Sequence, residues 1–322
     1  VRYRITHTTH YHYSQPVGLC QNEARLHPRD FWRQECQSSH FDINPRPSDF
    51  IERVDFFGNH VTYFAVQQAH TELTVTCMSE VIVFPKQTHL GINLCSWESV
   101  QALLRHIPLQ AQMQSQQGQI QQQSINPDKT LELLDAQQYV LDSPMVVTSA
   151  ELRHYAQSSF LPNRPLVDVV QDLMQRIFTD FTYDPSFTTI ATPLSAVLSH
   201  KRGVCQDFAH LAIACLRSYG IAARYISGYI ETITEPGQQR LVGADASHAW
   251  FAVYIPDMGW LEFDPTNNTL PHEQHITLAW GRDYSDVTPL KGIAFGGGQH
   301  TLSVSVDVLR LPFVYERRLR PR

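Results

Sequence analysis

The stretch Arg202-Gly203-Val204-Cys205-Gln206-Asp207-Phe208-Ala209-His210 joins a glycine and a cysteine to the first turn of an apolar periodicity. Phe208, Leu211, Ala212, Cys215, Leu216 and Tyr219 continue that periodicity at helical spacing, and Gly220 supplies a left-handed stop. A helix beginning near Cys205 is therefore expected, with Gly203 letting the backbone turn sharply into it. The Cys205 thiol then lies at the helix N-terminus, where unpaired N–H groups and the helix dipole favour a thiolate. Cys215, further along the same helix, reads as packing.

Downstream, Ala223 to Ile230, Ala249 to Ile255 and Trp260 to Phe263 read as strands. A hairpin through Pro256-Asp257-Met258-Gly259 sets the last two side by side. His248 opens one of them and Asp264 follows the other, so an imidazole and a carboxylate are expected on neighbouring strands, with the helix start packed against them. These residue types divide the work of nucleophilic catalysis. His248 takes the Cys205 proton and later protonates the leaving group, and Asp264 orients the ring and stabilises its cation. The Cys205 N–H is the first candidate oxyanion donor and the Tyr183 hydroxyl the second. Trp250, on the strand face of His248, is a candidate wall of the cleft. Asp207 is a candidate either to favour the helix dipole or to meet substrate.

Upstream, Ser149 caps an expected helix through Ser158, and Val167, Val170, Leu173, Met174, Ile177, Phe178 and Phe181 form a core stripe at helix spacing. Before these, the tract from Gln110 to Asn126 is rich in glutamine and too poor in apolar residues to bury itself. The first hundred residues alternate with period two at Tyr3, Ile5, His7, Thr9, Tyr11 and Tyr13. Phe50 to Phe57, Val61 to Val66 and Leu73 to Phe84 continue in the same way. The expected organisation is α+β: an antiparallel, sandwich-like β-domain over 1–108, a glutamine-rich linker or insertion over 109–128, and an α+β domain over 129–322.

With 322 residues, 43% of them hydrophobic, two cores can be filled, and a net charge of −6 offers no footprint for nucleic acid. No apolar run reaches the roughly 18 residues of a membrane span, the first residues lack a signal-peptide core, and six scattered cysteines suit a reducing compartment. A cytoplasmic protein without nucleic-acid or membrane partners is expected. His7, His10 and His12 lack the further ligands a metal needs, and no G-x-S-x-G elbow marks a serine hydrolase. Neither metal nor organic cofactor is called for.

The segments around Cys205, from Tyr219 to Tyr229, at His248-Ala249-Trp250, and at Gly259-Trp260 with Asp264-Pro265-Thr266-Asn267 together resemble bacterial transglutaminase-like proteins, a branch of the papain-like cysteine enzymes. The resemblance extends to the segment from Gly281 to Val287 and, at the other end, to the first strand and Pro16-Val17. It implies a papain-like catalytic domain behind an accompanying N-terminal domain. It makes Asp283 and Tyr284, with Arg282, candidates to line the cleft or to tie a loop down. The expected function is acyl transfer on peptide or amide substrates through a Cys205 thioester, as a cysteine peptidase or amidase. Protein-glutamine transamidation by the same triad is one alternative. A non-catalytic binding module on this scaffold is another, with the N-terminal β-domain docking a protein partner.

Overall fold

A computed structural model of the chain describes residues 1–85, 95–105, 127–189, 192–232 and 247–312. The expectations for the glutamine tract and its boundaries fall largely outside these residues. The period-two alternation becomes β1 (Arg2–Ala24), a long strand that buries Tyr3, Ile5, His7, Thr9 and Tyr13 on one face. β2 (Gln34–Asn44), β3 (Asp49–Val54), β4 (His60–Val66) and β5 (His70–Val83) complete the order β2-β5-β1-β4-β3. Leu73, Val75, Cys77, Val81 and Val83 all point into its core.

The middle of the chain is helical: α1 (97–105), α2 (Pro127–Gln137), α3 (Ala150–Ala156), α4 (Leu166–Asp180), α5 (Leu194–His200) and α6 (Cys205–Ser218). Ser149 caps α3 by accepting from the Leu152 N–H at 3.3 Å. Of the expected stripe, Val170, Leu173, Met174, Ile177 and Phe181 are buried, joined by Val169, whereas Val167 is only partly buried and Phe178 is exposed, because both sit at the margin of the buried face. Two short strands, β6 (Thr182–Tyr183) and β7 (Arg202–Gly203), pair in parallel just ahead of α6. A four-stranded sheet follows, ordered β10-β9-β8-β11, from β8 (Ala223–Ile230), β9 (Ser247–Ile255), β10 (Gly259–Phe263) and β11 (His275–Gly281). Gly220, at φ 72°, ends α6 as its sequence implies. Among the described residues no helix is long and apolar enough to cross a membrane.

After the short α7 (Tyr284–Val287), β12 (Leu290–Gly296) and β13 (His300–Leu311) return to the N-terminal sheet and pair antiparallel with β1. A division at 129–322 therefore does not describe how strands are shared, since the last two belong to the first sheet. The physical reason is edge satisfaction: β1 has two sides of N–H and C=O groups, and β13 covers Arg2 to Tyr13 opposite β5.

The N-terminal region also covers the free edge of the second sheet. Gln34, 1% exposed, donates to the Thr277 carbonyl at 2.7 Å and accepts from the Thr277 N–H at 2.8 Å. Asn59 does the same to Trp280, at 2.8 and 3.0 Å. Two side-chain amides thus stand in for a neighbouring strand along β11. Gly228 in β8 permits this sheet to pack, because a Cβ there would lie 2.1 Å from the Ile276 carbonyl oxygen and 2.5 Å from the Trp250 ring.

His7 joins the two halves with a contact of 2.9 Å between its Nδ1 and the Tyr229 hydroxyl. Its Nε2 meets Thr9, while His10 meets Thr74 and His12 meets Glu72, so the three histidines have separate partners. Burial pushes His7 down to about 4. The unfolded chain, with histidine near 6.5, then binds a proton that the folded chain refuses between about pH 6.5 and 4. Stability is expected to fall as pH drops through that window, by on the order of 3 kcal/mol from this residue. Urea midpoints across the window should show a shallower fall in His7→Asn, and an equally steep fall would place the proton uptake elsewhere.

Candidate active site

Cys205 is the first residue of α6, and the local sequence explains why the helix begins there. The Asp207 carboxylate turns back to accept from the Val204 N–H at 2.8 Å, closing the first turn. Gly203 makes room for this, since a Cβ would sit 2.9 Å from the Asp207 Cβ. Asp207 is only 3% exposed, and burial raises its pKa against the hydrogen bond from Val204. It therefore shapes the helix entrance, the first of its two expected readings, and the second, a carboxylate facing substrate, does not fit its burial. Cys205 itself is half-buried.

β9 and β10 lie side by side as the hairpin requires, with Gly259 opposite Ile255 and Phe263 opposite Phe251. His248 Nε2 is 2.8 Å from Asp264 Oδ2, with Asn267 Nδ2 3.4 Å from the same ring nitrogen, and the Cys205 thiol acts on the ring from beside it. Asp264 is fully buried, and backbone N–H groups of Thr266 and Asn267 donate to its Oδ1 at 3.0 and 3.3 Å. Burial alone would lift this carboxyl, but hydrogen bonds from His248 and His275 hold it well below the usual carboxylate range. Burial lowers His248, while Asp264 and then Cys205 outweigh it and raise the ring to about 10. An imidazolium beside the thiol is thus the favoured state near neutrality.

Two members of the cluster carried no recognisable signal in the sequence. His275, fully buried at the start of β11, brings Nε2 to 3.1 Å from the same Asp264 oxygen. Asn267 donates from Nδ2 to that oxygen at 2.7 Å. Asn267 ends the Asp264-Pro265-Thr266-Asn267 turn, where an amide is an ordinary turn residue, and His275 is a lone histidine heading an apolar strand. Ligand atoms of His248, Asp264 and His275 lie within 4.8 Å of one another. Their separations to Oδ2, 2.8 and 3.1 Å, are those of hydrogen bonds. They are shorter than the roughly 3.3 Å between ligands on a tetrahedral ion with bonds near 2.0 Å. The donor set fits a hydrogen-bonded relay better than a metal cage.

Of the other candidates, Tyr183 is 53% exposed in β6, paired to Gly203, and the charges of Cys205 and Asp207 add to burial in raising its pKa. It stands beside the thiol. Trp250 is fully buried, donates to Glu262 at 3.1 Å and packs edge-on against His275, so it is core behind the relay and not a wall of the cleft. Asp283, also fully buried, caps α7 and accepts from the Met145 N–H at 2.8 Å, tying a loop down. Arg282 forks onto Asp286. The Tyr284 N–H donates to His210 Nε2 at 3.1 Å, and its ring packs against Tyr225, whose hydroxyl feels the charge of Cys205. A cavity of about 430 Å³ opens beside Gln206, between Met145 and Pro193.

Residues 3–82 match the bacterial transglutaminase-like N-terminal region, and residues 153–265 match the transglutaminase-like superfamily. An uncharacterized protein of Mycobacterium tuberculosis is 42% identical over 316 residues, spanning 96% of this chain and 92% of the relative. A protein-glutamine gamma-glutamyltransferase of Pseudomonas aeruginosa is 29% identical over 139 residues, 39% of this chain and 21% of that protein. The solved structure of a candidate cysteine protease from Cytophaga hutchinsonii shares the fold at TM-score 0.66 and 18% identity, covering 97% of this chain and 92% of that one. With the α+β architecture and the matched regions in agreement, the chain belongs to the bacterial transglutaminase-like family of the transglutaminase-like superfamily.

Proposed function

We propose that this protein is a cysteine-dependent acyl-transfer enzyme acting on peptide or amide bonds. What supports the reading is a helix-terminal thiol that acts on the His248 ring, which is itself hydrogen-bonded to a buried Asp264. In the first half-reaction the Cys205 sulfur attacks the carbonyl carbon. The His248 imidazolium gives its proton to the departing amine, and the acyl group stays on sulfur as a thioester. Asp264, clamped by Asn267 and His275, holds the ring with Nδ1 toward the sulfur. The Cys205 N–H, an orphan donor at the helix start, and the Tyr183 hydroxyl, kept protonated by its raised pKa, receive the oxyanion.

In the second half-reaction neutral His248 takes a proton from water or an amine as that nucleophile bonds to the thioester carbon; the C–S bond then breaks and Cys205 leaves as the thiolate beside the imidazolium, giving the free acid on hydrolysis or the new amide on transamidation. The fold neighbour described as a candidate cysteine protease and the glutamyltransferase relative stand on either side of that choice. Incubation with glutamine-containing peptides, with and without a primary amine, should yield an acyl adduct on Cys205 by mass spectrometry. It should then yield free acid or the amine conjugate. Absence of any Cys205 adduct across amide substrates would reject the reading.

Alkylation offers an independent check against a non-catalytic scaffold. Burial raises Cys20, Cys77 and Cys95 and pushes Cys36 and Cys215 up to about 12. Iodoacetamide below pH 8 is expected to label Cys205 ahead of those five, and equal labelling would favour a binding role. All six cysteines are free thiols, which supports a cytoplasmic setting. Recovery of the protein from an oxidising compartment on cell fractionation would overturn that placement.

A further inference from the structure

A second cavity, of about 720 Å³, lies at the seam between the N-terminal region and the four-stranded sheet, and Cys205 and His248 do not line it. Arg224, only 7% exposed, has its guanidinium carbon 3.8 Å from the Trp280 ring centre and 4.3 Å from that of Trp260. Arg29 brings a second guanidinium to 3.5 Å from the Trp280 ring centre. Neither arginine forms an ion pair within 4.0 Å among the described residues, and the Nε of each is buried without a hydrogen-bond partner.

Acidic side chains also line this cavity, yet most are engaged elsewhere. Glu262 is held by Arg33 at 2.8 Å, Asp257 by Lys129 at 2.5 Å, and Asp135 by Gln138 at 2.7 Å. Burial pushes Arg29 and Arg224 down to about 10, the direction expected where desolvation is not offset by a counter-ion. Stacking on indoles returns part of that cost and fixes the guanidinium planes without using N–H donors, although Arg29 gives one of its own, from Nη1, to Asn59 Oδ1 at 2.7 Å. The donors that remain match the fork of a planar, singly charged acceptor. A dianion would be disfavoured by the carboxylates around it. Trp32 and Phe56, 67% and 81% exposed, stand at the cavity and would meet an apolar group attached to the anion.

We propose that this seam cavity is a binding site for a carboxylate carried on an apolar or aromatic group, with Arg224 as its principal anchor and Arg29 in support. The carboxyl end of a peptide with an apolar last residue and a free aromatic acid share that chemistry. In the β8–β9 register Arg224 lies opposite Ala252 and Gly228 opposite His248, so the site is roughly 13 Å along the sheet from the relay. It does not rest on the proposed catalysis.

Calorimetry on the full chain, in both wild type and Cys205→Ala, tests this with acetyl-Ala-Ala-Phe as the free acid, its C-terminal amide, benzoate and inorganic phosphate. The free acid is expected to bind at least about tenfold more tightly than the amide, to shift tryptophan emission, and to lose at least about tenfold in Arg224→Gln. Arg224→Lys, which keeps the charge but not the fork, should recover only part of the loss. Benzoate binding as well as the peptide acid would identify a small aromatic acid as ligand, and binding of the peptide acid alone would identify a chain terminus. Equal binding of acid and amide, preference for phosphate, no binding of any carboxylate, or an Arg224→Gln protein with an unaltered melt and unaltered affinity would each overturn the proposal.

Discussion

Cys205→Ala is expected to abolish amide turnover, with kcat/KM down by at least about 10³-fold while the far-UV spectrum and melting temperature stay close to wild type. The size of the effect follows from chemistry, since no other group at the start of α6 can form the thioester. The small structural cost follows from position. Cys205 is half-buried, and the Asp207 bond to the Val204 N–H that closes the first turn does not pass through its side chain. His248→Ala alone should cost nearly as much, and adding it to Cys205→Ala should change the residual rate little, because the two act as one unit. The comparison is made in kcat and KM together: a loss confined to KM would mean that the thiol binds substrate without attacking it. Full activity in Cys205→Ala would remove the enzymatic reading altogether.

Arg33→Met is expected to destabilise the protein by about 3–5 kcal/mol, the range for stripping one partner from a buried ion pair. Arg33 is 1% exposed; its Nη2 donates to Glu262 at 2.8 Å and its Nη1 to the carbonyls of His272 and His275 at 3.0 and 3.3 Å. Methionine fills much of the volume but leaves the Glu262 charge and two carbonyls without their donor. Glu262→Gln in the same background should recover part of the loss, since glutamine still accepts from Trp250 and carries no charge. Urea denaturation of the four proteins gives the coupling directly. Additive effects would show that Arg33 acts through its backbone contacts alone. Because Arg33 holds the carbonyl of His275 itself, whose ring shares Asp264 Oδ2 with His248, a drop in kcat beyond the unfolded fraction is also expected.

Much of this architecture is written locally. The period-two run from Tyr3 to Tyr13, the stop at Gly220 and the turn between β9 and β10 all rest on backbone preferences and side-chain periodicity that act over a few residues. So does the placing of Cys205 at a helix mouth, for Gly203 and Asp207 are its immediate neighbours. The pairing of His248 with Asp264 was legible because a short hairpin leaves little choice of register.

Other features were decided only by tertiary structure. Nothing near Leu290 announces that β12 and β13 return to a strand begun at Arg2, because that pairing depends on which sheet edge remains open. His275 joins Asp264 from the far side of the sheet, and its own segment is an ordinary apolar strand. Asp207 and Trp250, polar or amphipathic enough to face substrate, are buried because their hydrogen bonds to Val204 and Glu262 are satisfied inside. Periodicity thus selected the elements, and one motif carries the proposed chemistry. Which buried groups meet was left to long-range packing, where burial and hydrogen-bond satisfaction act between residues that no local pattern connects.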